Sequence, residues 1–398
     1  MKKYKLAILT SHPNQYMAPL FRKLSENPKI DLTVYFCWDF GVNKPGYDSG
    51  FGKEIKWDIP MLEGYNYKLL PNFSPKPSSK FFGHLNPSVI KEIFNNNYDA
   101  LWVHGYNSLT NWLAFFAAWI SKTPIFLRGE SHLLDYRPLW KRAVKNFLLK
   151  PLFKNISRFL AIGKANREYY KHYKVPDKKI FSVPYAVDDN FFNKRAKKRS
   201  FYNAEIRKEF GINKNDVILL YLGKIFGGKG PGAFDLLKAY EVLNTKYLIY
   251  NTRLVFVGDG KEKPILEDYI KKHNIKNVIF TGFKNQTEIP KYYSVADVFV
   301  SSSHSEQWGL GVNESMYFDT AVIASDKVGS ACDLVHHGEN GYIFPAGDIA
   351  ALADALKNIV NNKKLLQLMK IESRKIILKW DLNACVSGTL SALKSLSI

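Results

Sequence analysis

Short apolar runs of strand length alternate with longer, helix-patterned segments along the whole chain. In the first half the runs fall at 5–9, 32–37, 100–103, 124–127, 158–162 and 180–183; in the second they fall at 217–222, 253–257, 277–280, 297–300, 321–324 and 342–344. Most are apolar at consecutive positions, the pattern of strands covered on both faces, and most are spaced widely enough for a crossover helix. Both halves therefore predict parallel α/β sheets of the doubly wound kind. Between them the basic, polar stretch NKRAKKRSFYN at 193–203 has a linker's composition. It predicts a first Rossmann-like domain over 1–195 and a second over 196–379, followed by a helix-like tail at 380–398.

The length of 398 residues agrees with two domains, and 46% hydrophobic with 15% aromatic residues excludes wholesale disorder. The start, MKKYKLAILTSHP, has too short an apolar run for a secretory signal and reads as a strand. The most apolar later segment, 112–120, falls short of the ~20 residues of a membrane-crossing helix. Cys37, Cys332 and Cys385 lie far apart and form no CxxC pair, so neither a disulfide framework nor a zinc site is predicted. A reducing cytoplasm is the expected compartment.

Charge changes the picture more. The 57 basic and 36 acidic residues leave a net +21, which favours an anionic partner. Over 137–174 there are eleven Lys or Arg and one acidic residue, Glu168, interleaved with Leu139, Trp140, Val144, Phe147 and Leu148. Such a stretch can lie peripherally on an anionic membrane at the inner face, contact nucleic acid, or form a solvated lysine surface over a core-facing apolar side. Large apolar side chains between the lysines favour the membrane over nucleic acid.

Ligands of open parallel sheets bind beyond the carboxyl ends of the strands, so the loops there carry the candidate chemistry. Glu306 and Glu314 stand eight positions apart in SEQWGLGVNESM, directly after the buried-strand pattern ADVFVSSS. A helix opening near Val312 puts Glu306 at the strand end, Glu314 in the first helical turn, and the amides around Gly309, Leu310 and Gly311 toward an anion. Carboxylates suit sugar hydroxyls and amides suit phosphate, which points to an activated sugar. A glutamate in a first turn is also favoured by the helix dipole alone, so the pair depends on its surroundings. After 217–222 the loop LGKIFGGKGPG supplies Lys224 and Lys229, two cations able to hold a diphosphate on a glycine-opened backbone. Gly230 is followed by Pro231, so this is no Walker A loop, and it is not GxGxxG; a kinase or dehydrogenase is disfavoured.

In their order these loops resemble the retaining glycosyltransferases of the GT-B fold, family 4. Gly223, Lys224, Lys229 and Gly230 match the family's Gly-Arg-x-x-x-x-Lys-Gly, and Gly258, Asp259 and Gly260 its Gly-Asp/Glu-Gly. Phe280 and Gly282 match a Phe-x-Gly turn, and Glu306, Gln307, Trp308, Gly309 and Glu314 match Glu-Gly-Phe-Gly-x-x-x-x-Glu. The following VGSACDLVHHGENGYIFPAGD is similar to the family's closing run, and the likeness extends over 180–360. Lys224 replaces the usual Arg, keeping the charge without the planar fork. Ser330 replaces the second glycine of a Gly-Gly pair, and in VPYAVDDNFF only Val187 and Asp188 match the family's Asn-Gly-Val-Asp. The first domain is less similar: TSHPNQYMAPLF has no glycine where the family commonly has a glycine-rich loop.

The resemblance implies two Rossmann-like doubly wound domains facing each other across a cleft, a tail at 380–398 that crosses back to the first, and transfer with retention from a nucleotide-diphosphate sugar to a glycan or lipid-linked acceptor. Lys224 and Lys229 would stabilise the leaving diphosphate with the amides near Gly309 to Gly311. Glu306 would bind donor-sugar hydroxyls and Glu314 the ribose or an adjacent polar group, with Gly223, Gly258 and Phe283 also on the donor side. His104 would face the transferred sugar, and His12, Gln15, Arg128 and Glu130 are acceptor-side candidates. For the histidines a structural hydrogen bond at a strand end is the competing reading. The chain has no Asp-x-Asp motif, and neither a metal nor another cofactor is expected. Two alternatives stay open: a nucleotide-sugar epimerase of the same fold, and a non-catalytic module binding polyanions or glycans.

Overall fold

The computed structural model describes residues 3–42, 45–48, 50–135, 138–225 and 232–397, and only the backbone at 141, 142 and 397. Lys229, Gly230, Pro231 and Arg137 thus lie outside the described residues. Contacts divide the chain into two units. The first comprises Met1–Gly46, Ile55–Ala186 and Leu382–Ile398, the second Tyr47–Glu54 and Val187–Asp381.

In chain order the first nine strands are β1 (Tyr4–Thr10), β2 (Ile30–Phe36), β3 (Gly46–Asp48), β4 (Lys53–Ile55), β5 (Asn66–Leu69), β6 (Ala100–His104), β7 (Ile125–Arg128), β8 (Arg158–Ala161) and β9 (Ile180–Ser182). Seven of them form the first unit's parallel sheet, in the order β5-β2-β1-β6-β7-β8-β9. Leu6 through Leu9 are fully enclosed, and so are Leu101, Trp102 and Val103, because helices cover both faces of the central strands. The chain's last helix, Leu382–Lys394, packs here: the Cys385 thiol donates to the Pro184 carbonyl at 3.0 Å, and Arg158 holds the Ser395 hydroxyl at 2.6 Å.

The second unit contains β10 (Val217–Leu222), β11 (Thr252–Val257), β12 (Val278–Phe280), β13 (Val298–Ser301), β14 (Ala321–Ser325) and β15 (Gly341–Phe344). They form a parallel sheet in the order β12-β11-β10-β13-β14-β15. Leu219, Phe256, Val300 and Ile323 fill its core together with Leu237 and Tyr240 from the helix Ala233–Thr245.

Two features differ from the sequence expectation. The stretch at 193–203 is no linker; it lies in the helices Asp189–Ala196 and Arg199–Glu209, and the change of unit comes earlier, at Ala186. These helices are fixed by few but specific contacts. Phe192 and Ile206 are buried, and the Arg199 guanidinium donates to the Ser294 carbonyl at 3.2 Å and the Asp319 carboxylate at 3.1 Å. The second difference is the hairpin β3–β4: residues 47–54 leave the first half of the sequence and belong to the second unit.

Candidate functional site

In the second sheet the strand order reverses between β10 and β13, and the loops leaving β10, β11 and β13 meet at the carboxyl edge there. The Ile225 amide donates to the Asp259 carbonyl at 2.9 Å, and the Ser302 hydroxyl to the Gly232 carbonyl at 2.8 Å. Gly258 makes this approach feasible: its φ is +143°, and a Cβ there would stand 1.8 Å from the Gly223 carbonyl oxygen. No side chain fits between the two loops, so backbone runs against backbone.

Lys224 and Asp259 both meet the hairpin. Asp48 accepts from the Gly50 and Phe51 amides at 2.8 and 3.1 Å through one carboxylate oxygen, and through the other from the Lys224 ammonium at 2.9 Å. Lys53 donates to Asp259 at 2.9 Å and lies 4.9 Å over the Phe283 ring, which Phe51 meets edge-on at 4.9 Å. Burial pushes the Asp259 carboxyl up, but Lys53 and the Gly260 amide outweigh it and hold the group below its usual range. Asp48, Phe51 and Lys53 were not foreseen from the sequence. The only local signal is the segment GYDSGFGK, where acid, aromatic and base are spaced by glycines.

Beyond β13 the chain turns back through Glu306, whose amide donates to the Lys327 carbonyl at 3.1 Å and whose carbonyl accepts from the Gly329 amide at 3.0 Å. Glu306 is half-buried, and with burial it helps push up the hydroxyl of the enclosed Tyr221. Trp308 anchors this turn, donating to Asn313 at 2.8 Å and stacking on Trp380 at 5.8 Å. Gly309, at φ +87°, precedes the helix Leu310–Met316. The helix therefore opens two residues before Val312, and Glu314 falls after its first turn, which removes the dipole as its explanation. Glu314 is 1% exposed and accepts from the Tyr293 hydroxyl at 2.6 Å and the Gln286 amide at 3.4 Å. Burial raises its carboxyl to about 7, with the two hydrogen bonds pulling the other way. Each oxygen retains acceptor capacity, since a carboxylate offers about four lone-pair sites.

In the first unit the strand order reverses between β1 and β6; the loop after β1 carries His12 and Gln15, and β6 ends on His104. His104 Nε2 stands 3.5 Å from Glu130, while its Nδ1 is buried without a partner. Burial pushes Glu130 up, yet His104, Tyr185 and Arg128 together bring it below the ordinary glutamate value. Burial, with His84 and His104 nearby, lowers His12 to about 4; its Nδ1 meets the Ser11 hydroxyl at 2.9 Å. Gln15 is buried. Arg128 corrects an expectation: it is 1% exposed and spends its guanidinium on the Val183 carbonyl at 2.9 Å, with Trp102 and Tyr185 beside it. Enclosed this deeply, the cation ties the end of β7 to the segment that follows β9 and is not presented to a ligand.

Residues 203–376, which hold all of these second-unit loops except the hairpin, match the model for glycosyl transferases group 1. The match covers less than half of the chain, and through it the second unit is similar to the group 1 glycosyl transferases. Among its relatives, the 2-deoxystreptamine N-acetyl-D-glucosaminyltransferase of Niallia circulans is 25% identical over 73% of the chain and 74% of the relative. The alpha-monoglucosyldiacylglycerol synthase of Acholeplasma laidlawii is 28% identical over 55% of the chain and 57% of the relative. The chain thus spans little more than half of the second. Anabaena HepE, solved in complex with UDP and glucose, shares the fold with a TM-score of 0.71 at 16% identity, over 98% of this chain and all of that one.

Proposed function

We propose that this protein is a group 1 glycosyl transferase that moves a sugar, with retention, from a nucleotide-diphosphate donor to a glycan or lipid-linked acceptor without a metal. The observation that carries the reading is the gathering of Gly223, Lys224, Gly258 and Glu306 at the switch edge of one parallel sheet, inside the family segment. That HepE was solved with UDP and glucose supports a nucleotide-sugar donor.

In this reading the Lys224 ammonium neutralises the diphosphate as the bond from the anomeric carbon to the phosphate oxygen breaks. Lys229 shares that role. The new bond forms from an acceptor hydroxyl on the same face, and the hydroxyl proton leaves with the departing phosphate oxygen. Amides of Leu310 and Gly311 face the phosphates, Glu306 accepts from sugar hydroxyls, and the enclosed Glu314 serves the ribose side through the adjacent polar groups of Tyr293 and Gln286. Phe283 contributes to the donor pocket. The His104–Glu130 pair, with His12 and Gln15, serves the sugar and acceptor side. The enzyme works in the cytoplasm, with peripheral contact to an anionic membrane through 137–174.

The test is a panel of nucleotide sugars offered with glycan and lipid acceptors, with the product linkage read by NMR. An α-linked donor yields an α-linked product in this account. Rapid isomerisation of the donor in the absence of acceptor would assign the epimerase chemistry instead.

A further inference from the structure

The helix Leu139–Lys154 of the first unit is apolar on two opposite faces. One face is used: Leu149, Leu152 and Phe153 are buried, and the Phe153 ring packs at 5.1 Å against both Phe159 and Tyr173. The other is not covered by the fold. Phe147 is 80% exposed, Leu139 76% and Val144 55%, and Trp140 and Leu148 are exposed beside them. Positions 140, 144, 147 and 148 follow the spacing that puts residues on one side of a helix. Single exposed apolar residues need no explanation, but four on one stripe do.

The charge around the stripe selects its occupant. Residues 139–154 include five Lys or Arg and no acidic residue, and the acid-free run extends over 136–167. Lys150 and Lys154 are exposed, whereas Lys145 turns inward over the Tyr169 ring at 4.8 Å. A second copy of the chain would bring like charges together on this face, which disfavours self-association. An anionic bilayer answers both features: apolar side chains enter the acyl boundary while lysines stay among the phosphates. Sixteen residues make a helix of about 24 Å, shorter than a bilayer's hydrocarbon core and suited to lying in its plane. Among the described residues no helix is long and apolar enough to cross a membrane.

The geometry points to the outward face of Leu139–Lys154 as an in-plane docking helix that seats the first unit on an anionic membrane. This deepens the membrane contact of the proposed function and is independent of the donor chemistry. The test is flotation of the full chain with vesicles of phosphatidylglycerol and phosphatidylcholine in equal parts, against phosphatidylcholine alone, at low and high salt. Expected is capture by the anionic vesicles at low salt and weak capture by the neutral ones. The double variant Val144→Ser, Phe147→Ser should lose at least about tenfold in partitioning. Lys150→Gln with Lys154→Gln should weaken capture several-fold and flatten its salt dependence. Nucleotide-sugar turnover with a soluble acceptor, equal in all variants, reports that they are folded. Failure of the wild-type chain to float with anionic vesicles at low salt, or capture unaltered by the serine variant, overturns the proposal. So does a dimer in solution that the serine variant abolishes.

Discussion

Glu314 offers the sharpest physical test, because a buried carboxyl with a raised pKa ties stability to pH in a defined direction. Burial lifts its pKa from the ordinary 4.5 to about 7, so between those values the folded chain holds a proton that the unfolded chain releases. The folded state binds more protons there, and stability is therefore highest below the unfolded value and falls as pH rises through the folded one. The difference corresponds to about 3 kcal/mol. Glu314→Gln cannot ionise, yet keeps a carbonyl to accept from the Tyr293 hydroxyl. Near pH ~5 the variant and wild type should be close in stability, and near pH ~8 the variant should be ahead by about 2–3 kcal/mol. His12 opposes this trend: its depressed pKa contributes stability above its unfolded value that is lost as pH falls toward about 4. That contribution is common to both chains and cancels in the difference. Urea unfolding of each at the two pH values is the assay. A gap between variant and wild type that does not change with pH would refute the reasoning.

The other predictions concern the contacts of the loop that follows β10. Asp48→Asn releases Lys224 from a partly exposed ion pair, worth about 0.2–1 kcal/mol, so donor KM should fall by a factor of about 1.4 to 5; a raised KM would contradict the competition of Asp48 with the diphosphate. Gly258→Ala sets a Cβ 1.8 Å from the Gly223 carbonyl at a φ of +143°, and should cost more than about 2 kcal/mol in thermal unfolding. A stable Gly258→Ala variant with intact donor binding would mean that the two loops do not need their close approach.

The strands were legible in the sequence because they are buried on both faces: runs such as Leu6-Ala7-Ile8-Leu9 and Ile218-Leu219-Leu220 admit few other readings. The hairpin was not. Its strands are three residues each, its tip has turn composition, and its partner Lys224 lies 176 residues away, so no local pattern reports the contact. The helices over 193–203 were misread because lysine-rich helices held by a few buried residues share a linker's composition. Arg128 looked like a ligand cation at a strand end, and only the carbonyls of Val183 and Pro184 reveal its structural use. Glu306 and Glu314 were found through spacing, but their different burial is a property of the packed loop. Tyr293 and Gln286, which engage Glu314, carry no mark in the sequence.

In the proposed function the second unit grips a nucleoside diphosphate through Lys224 while Glu306 acts on the sugar. Titration calorimetry tests it with UDP, GDP, ADP and TDP, taking the tightest binder of the wild-type chain and repeating it with Lys224→Ala and Glu306→Ala. Loss of one charge-assisted contact predicts at least about tenfold weaker binding for Lys224→Ala. Glu306→Ala should stay within about twofold for the diphosphate while losing at least about tenfold in turnover of the sugar donor. Binding of none of the four, or a Lys224→Ala variant that binds as tightly as wild type, would contradict the account.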